Sequence, residues 1–184
     1  MRRDVRTAAD GAQDQARALW SFSLATYDAP GVARACIALQ DRHELDVNIL
    51  LFCCWAGARG RELTKGKLKR LQEGVVDWQK EVVQPLRRVR RRLKSEPSDA
   101  AQDLRARLLD LEIESERLEQ FRLADLVPLV AEHPEPRSAG ANLRLYLTQR
   151  RIALDADTVA ELAALMTGAF PDLPPLLAVW FILP

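Results

Sequence analysis

Two groups of polar side chains are spaced so that they could do chemistry. The first surrounds the start of an apolar stretch, residues 46–57 (DVNILLFCCWAG), and comprises Tyr27, Gln40, Asp41, His43, Asp46 and Asn48. Free N–H groups at a helix N-terminus hold anions, and an aspartate and a histidine do acid–base work where they converge. Each residue also has a structural explanation. Asp46 is a natural N-cap. Asn48, in the first turn of a buried helix, is expected to bond backbone of the neighbouring loop. Gln40 and Asp41 close the preceding helix, and no second histidine is near His43 in sequence. The second group is a basic run, Arg87, Arg88, Arg90, Arg91, Arg92 and Lys94, joined across a turn by Arg105 and Arg107. Residues 87–107 carry eight basic and three acidic side chains, net +5, whereas residues 108–119 carry five acids against Arg117, net −4. Such a tip suits an acidic protein surface, a phosphate backbone or an anionic leaflet. No aromatic residue lies between 87 and 107 to stack on bases.

Other chemistries find no support. There is no HExxH, HxxxH or paired CxxC, so no metal is expected. There is no P-loop, GxGxxG or GxSxG, so no catalytic residue and no cofactor is assigned. The three cysteines, Cys36, Cys53 and Cys54, are odd in number and sit on apolar segments. They read as buried, reduced thiols suited to a cytoplasm.

The elements that position these groups are helical. Leu, Ala, Arg and Glu dominate a chain of 184 residues with 8 glycines and net charge +1, which predicts an all-α protein. A uniformly basic nucleic-acid binder is not indicated. Residues 46–57 are apolar all round, with Gly57 read as the stop of the helix, and too short to span a bilayer, so they must be surrounded on all sides. The expected architecture is a bundle around this central helix. Residues 1–14 read as a loose leader, followed by helices over 15–26 and 32–42. Leu68, Leu71, Val75, Trp78, Val82, Leu86, Val89 and Leu93 alternate steps of three and four, which predicts a long helix over 65–94. Pro85 predicts a kink near 82–84, and Gly74 a second weak point. A second seam, Leu104, Leu108, Leu111, Ser115, Leu118, Phe121 and Asp125, predicts an antiparallel return over 99–127. With the turn near Pro97, facing residues sum to about 195, which sets Glu112, Glu114, Glu116 and Glu119 opposite 76–83 and leaves the basic tip without local neutralisation unless another part of the chain covers it. Pro134 and Pro136 mark a linker over 133–137. Residues 138–184 then form a helical pair with an apolar tail that packs on the bundle or mediates self-association.

Several of these residues occur together in a recognisable way: Trp20-Ser21-Phe22-Ser23-Leu24, Tyr27, Pro30-Gly31-Val32, Cys36, Leu39-Gln40-Asp41, Asp46-Val47-Asn48, Leu50-Leu51-Phe52, Trp55, Gly57, Trp78 and Val82-Val83-Gln84-Pro85-Leu86-Arg87. Over residues 19–121 the chain resembles an uncharacterised family of small proteobacterial proteins, a domain of unknown function. The resemblance implies a bacterial, all-helical, cytoplasmic protein and implies no reaction. Function is therefore expected at one of two places. The leading expectation is a non-enzymatic interaction or regulatory protein that docks a protein partner through the charged hairpin. The alternatives are an RNA- or ribosome-associated protein using the same tip, and a small-molecule or enzymatic site at the central-helix N-terminus.

Overall fold

In a computed structural model, which describes residues 2–130 and 132–183 and side chains from residue 11 onward, the chain is helical with no strand among the described residues. Helix α1 is Arg2–Tyr27, α2 Val32–His43 and α3 Val47–Ala58. The hairpin is α4 (Lys65–Trp78), a π-helical turn (Gln79–Val83) and α5 (Gln84–Arg92), returning as α6 (Asp99–Leu126). Then come α7 (Pro136–Gln149), α8 (Ala156–Ala169) and α9 (Pro175–Ile182). The segment read as a leader over 1–14 is helical backbone from Arg2; its first ten side chains lie outside the described residues.

Helix α3 is the centre. Its ten residues from Asn48 to Gly57 are all buried, because every face is apolar and each must find a neighbour. Helices α1, α2, α6, α7 and α8 supply those neighbours, with α7 lying along it most extensively. One hydrophobic cluster joins Leu50, Phe52 and Trp55 to Leu19, Leu39, Leu71, Leu123, Leu143, Leu162 and Met166. The C-terminal helices thus complete the core that α3 needs. Helix α9 buries Ala178 and Ile182 and leaves Leu176, Leu177 and Trp180 exposed.

Local signals set the helix ends. Asp46 accepts from Asn48 N at 2.9 Å, Thr64 from Lys67 N at 3.2 Å, Ser98 from Ala101 N at 3.2 Å and Asp155 from Thr158 N at 2.7 Å. Each satisfies an N–H that the first turn leaves free. Pro85 cannot donate within the helix, and its ring crowds the preceding turn. The chain answers with the π turn at Gln79–Val83 immediately before it, a single extra-wide turn that lets the helix resume.

Two glycines act otherwise than expected. Gly57 is not the stop of α3, which runs on to Ala58. It is the point where α3 and α7 touch: a Cβ there would lie 2.5 Å from both the Cβ and the N of Ala139. Gly74 does not weaken α4, which passes through it unbroken; it makes room for Leu126, 2.3 Å from where its Cβ would stand. Loop 59–64 is tied to α7 by buried Asn142, which donates to Arg61 O at 2.9 Å and Cys53 O at 3.2 Å and accepts from Leu63 N at 2.7 Å.

Gly57→Ala forces two helix backbones apart. Overpacking of this kind costs about 1–3 kcal/mol, more than the roughly 1 kcal/mol that alanine gains in a helix. Urea denaturation should show a net loss for Gly57→Ala and none for Gly66→Ala, whose Cβ meets nothing within 4 Å.

Candidate functional site

The N-terminal end of α3 opens on a cavity of about 400 Å³ walled by α1, α2, α3, α5 and α6. Helix α1 contributes Trp20, Ser23, Leu24 and Tyr27, and the following turn Asp28. Helix α2 gives Ile37 and Gln40, and α3 gives Val47, Asn48 and Leu51. Helix α5 gives Arg87, Arg90 and Arg91; α6 gives Leu109, Glu112, Ile113, Glu116 and Gln120. The rim is apolar and open: Leu24, Ile37, Leu109 and Ile113 are each 41–47 % exposed. The floor is polar and closed: Ser23, Asn48, Glu112 and Gln120 are 1–4 % exposed.

An ion-pair network crosses the cavity. Arg87 donates Nε to Glu112 Oε1 at 2.9 Å, Nη2 to Glu116 Oε1 at 2.6 Å, and Nη1 to Gln40 Oε1. Arg90 donates to the same Glu112 carboxylate, from Nη2 to Oε1 at 3.1 Å and from Nε to Oε2 at 2.5 Å. Burial raises the Glu112 carboxyl, but the hydrogen bonds from Arg90 and Arg87 outweigh it and hold it below the usual range. Glu116 goes the other way: burial pushes it up against the pull of Arg87. The Tyr27 phenol is also raised, by burial first and then by the negative groups nearby, so it stays protonated.

The register that left the basic tip uncovered is thereby corrected. Cross-hairpin contacts near that register do form, with Gln102 Nε2 donating to Leu93 O at 3.2 Å and Trp78 Nε1 to Ser115 O at 3.0 Å. Side chains on a helix lean toward its N-terminus. On antiparallel helices, Arg87 leans back toward residue 83 while Glu112 leans toward residue 108. The two meet although their Cα positions are offset by about one turn. Arg91 is also taken, by Asp41 at 3.0 Å, and Arg92 by Glu96 at 2.7 Å. Arg88, Lys94, Arg105 and Arg107 make no ion pair among the described residues.

The first polar group is divided. Tyr27, Gln40 and Asn48 line the cavity, and Asp41 sits at its edge through Arg91. His43 does not converge with Asp41 or Asp46: its Nε2 lies 3.0 Å from Thr158 Oγ1 on α8, where Arg42 also pairs with Asp155, Asp157 and Glu161. Asp46 caps α3, and its own N–H donates to Tyr146 Oη at 3.1 Å. Asn48 bonds no loop backbone; it accepts from Gln120 Nε2 on α6 at 2.9 Å. Behind it Glu119 is fully buried, accepting from Gln79 Nε2 at 3.4 Å. Burial first and then the neighbouring Asp46 push its carboxyl far above the usual range, and its Oε1 has no hydrogen-bond partner among the described residues.

Nucleophilic and metal chemistry gain no support from geometry. The three thiols are free and buried, and burial pushes Cys36 up to about 12 and Cys53 and Cys54 well up too. Thiolates are the reactive form. Among the described residues no group of three or more His, Cys, Asp or Glu is gathered as a metal would need.

The family described as a protein of unknown function, DUF2390, matches residues 18–123. The chain belongs to this family. No curated protein matches it, and no solved structure does. The DUF2390 segment contains α2 to α5, the last ten residues of α1 and all but the last three of α6, and therefore every residue that lines the cavity. Helices α7 to α9 lie outside it and close the far side of α3.

Sequence reasoning missed Trp20, Ser23, Glu112, Glu116 and Gln120 as site residues. A signal was present. Leu109, Glu112, Ile113, Glu116 and Gln120 fall at i, i+3, i+4, i+7 and i+11 along a face of α6 separate from its leucine seam, so the helix has a second inward face of mixed polarity.

Glu119 supplies a pH test. Its folded-state pKa is raised, so the folded protein holds a proton that the unfolded chain releases above about 4.5. The stabilisation is fully present below that pH and is lost as pH rises toward the folded value. Glu119→Gln keeps a side chain of the same size that is neutral at every pH and removes the penalty. Its Tm should match the parent near pH 4 and exceed it by about 3 °C or more at pH 8; calorimetry across that range checks it.

Proposed function

We propose that this DUF2390 protein is a non-enzymatic binding protein whose site is the cavity at the N-terminal mouth of α3. One observation carries the reading: an exposed apolar rim and a buried polar floor converge on one space within the size range of ligand sites. Half of the first polar group and half of the basic run meet there. No histidine or cysteine lines the cavity, and both glutamates are held by arginine, so binding is favoured over turnover. Buried free thiols suit a reducing compartment, and we place the protein in the cytoplasm. Among the described residues no helix is long and apolar enough to cross a membrane.

A fragment titration on ¹⁵N-labelled protein tests this. Ligands of about ten heavy atoms should shift resonances of Tyr27, Asn48 and Gln120 saturably. Ile113→Trp, which fills the mouth, should abolish those shifts while the Tm stays within about 2 °C. Shifts scattered elsewhere, or surviving in the filled variant, would sink the reading.

A second reading has its own support. The α6 seam is not closed toward the hairpin tip: Leu104, Leu111 and Leu118 are 43, 55 and 38 % exposed, and Val89 of α5 is 49 % exposed. Unpaired Arg88, Lys94 and Arg107 are exposed on the same hairpin. That combination fits an acidic amphipathic helix of a protein partner, leucines on leucines and acids toward the basic flank. A partner captured by the wild type should be lost both by Leu111→Asp and by the triple change of Arg88, Lys94 and Arg107 to Glu. Loss by the charge change alone, with RNA as the captured species and a steep salt dependence, would favour ribonucleic acid instead.

A further inference from the structure

We infer that the cavity takes an uncharged amphiphile, an apolar body with an O–H or N–H donor head, and rejects anions and cations of the same shape. This rests on the cavity being the binding site.

The inference follows from which polar groups are already engaged. The cationic side of the cavity is matched: Arg87 and Arg90 are shared between Glu112 and Glu116, and Arg91 is held by Asp41. The positive end of α3 is occupied by its own cap, Asp46. An incoming anion would have to displace a carboxylate from Arg87 while facing Glu112, Glu116 and Asp28. An incoming cation would meet the three arginines. Neither finds an unmatched charge on the floor.

What remains open on the floor is neutral. Ser23 Oγ and Gln120 Oε1 are buried without a hydrogen-bond partner. Gln120 spends its Nε2 on Asn48, which leaves its oxygen as a pure acceptor. The Tyr27 hydroxyl makes no hydrogen bond among the described residues. Buried polar atoms left unpaired are costly, so a donor that reaches them recovers more than one placed in water. Above the floor, Trp20, Leu24, Ile37, Leu109 and Ile113 offer apolar surface for the body of the ligand. The raised Glu116 carboxyl agrees: added negative charge would drive it further from its usual value.

Three probes of one shape and three charges test the inference: benzyl alcohol, benzoate and benzylammonium, each titrated into the full ¹⁵N-labelled chain at pH 7 and matched ionic strength. Benzyl alcohol should shift the Trp20 and Gln120 side-chain resonances with a Kd of about 1 mM, and the two ions at least tenfold more weakly. Ser23→Ala should weaken benzyl alcohol severalfold without lowering the Tm, because it deletes an unpaired hydroxyl. Benzoate or benzylammonium binding tightest would overturn the inferred ligand class and leave the cavity as the site. No shift at the cavity with any probe would overturn both.

Discussion

Everything in this fold depends on the need to bury α3 on all sides. A helix of twelve residues with one polar side chain cannot rest on a surface. It needs a full ring of neighbours, and the chain spends most of its other helices supplying them. The close approach at Gly57 and Ala139 shows how tight that ring is. Burial also creates a problem at the N-terminal end. Asp46 and Asn48 stand where the apolar run begins, and in a closed interior each polar group must be paired.

The pairing is what builds the site. Asn48 takes Gln120, Asp46 takes the N–H of its own helix, and Glu119 enters as a neutral acid. These groups recruit polar residues onto the inner face of α6, and that face in turn holds Glu112 and Glu116 for Arg87 and Arg90. The cavity lies where the ring of helices around α3 is incomplete. A helix that is itself inert thus organises a polar network at its mouth.

The ion pairs illustrate how much depends on side-chain direction. Removing one partner of such a half-buried pair strands the other charge, so the network is held as a unit. It is assembled from residues 22 to 47 positions apart. The same arginines, read along the chain, form a solvated basic run. Their lean toward the helix N-terminus, meeting an opposite lean on α6, turns a surface charge cluster into the wall of a cavity. Arg88, Lys94 and Arg107 keep the exposed, unpaired character that the run suggests.

The sequence by itself determined whatever is local. Apolar periodicity, capping residues and the placement of Pro85 are features of a few consecutive residues, and they made the helices, the hairpin and the buried centre legible. Helix type and burial of α3 needed nothing beyond neighbours in the chain. The tertiary structure alone decided which polar residues meet. His43 and Asp46 are three positions apart, yet α2 sends one to α8 while α3 keeps the other. Gln40 and Arg87 are distant in sequence and bond directly. Gly57 looked like a stop because glycine weakens helices, and only the arrival of α7 showed that it is there for contact. Reach across elements depends on packing angles and side-chain lean, and these are properties of the assembled bundle rather than of any one segment.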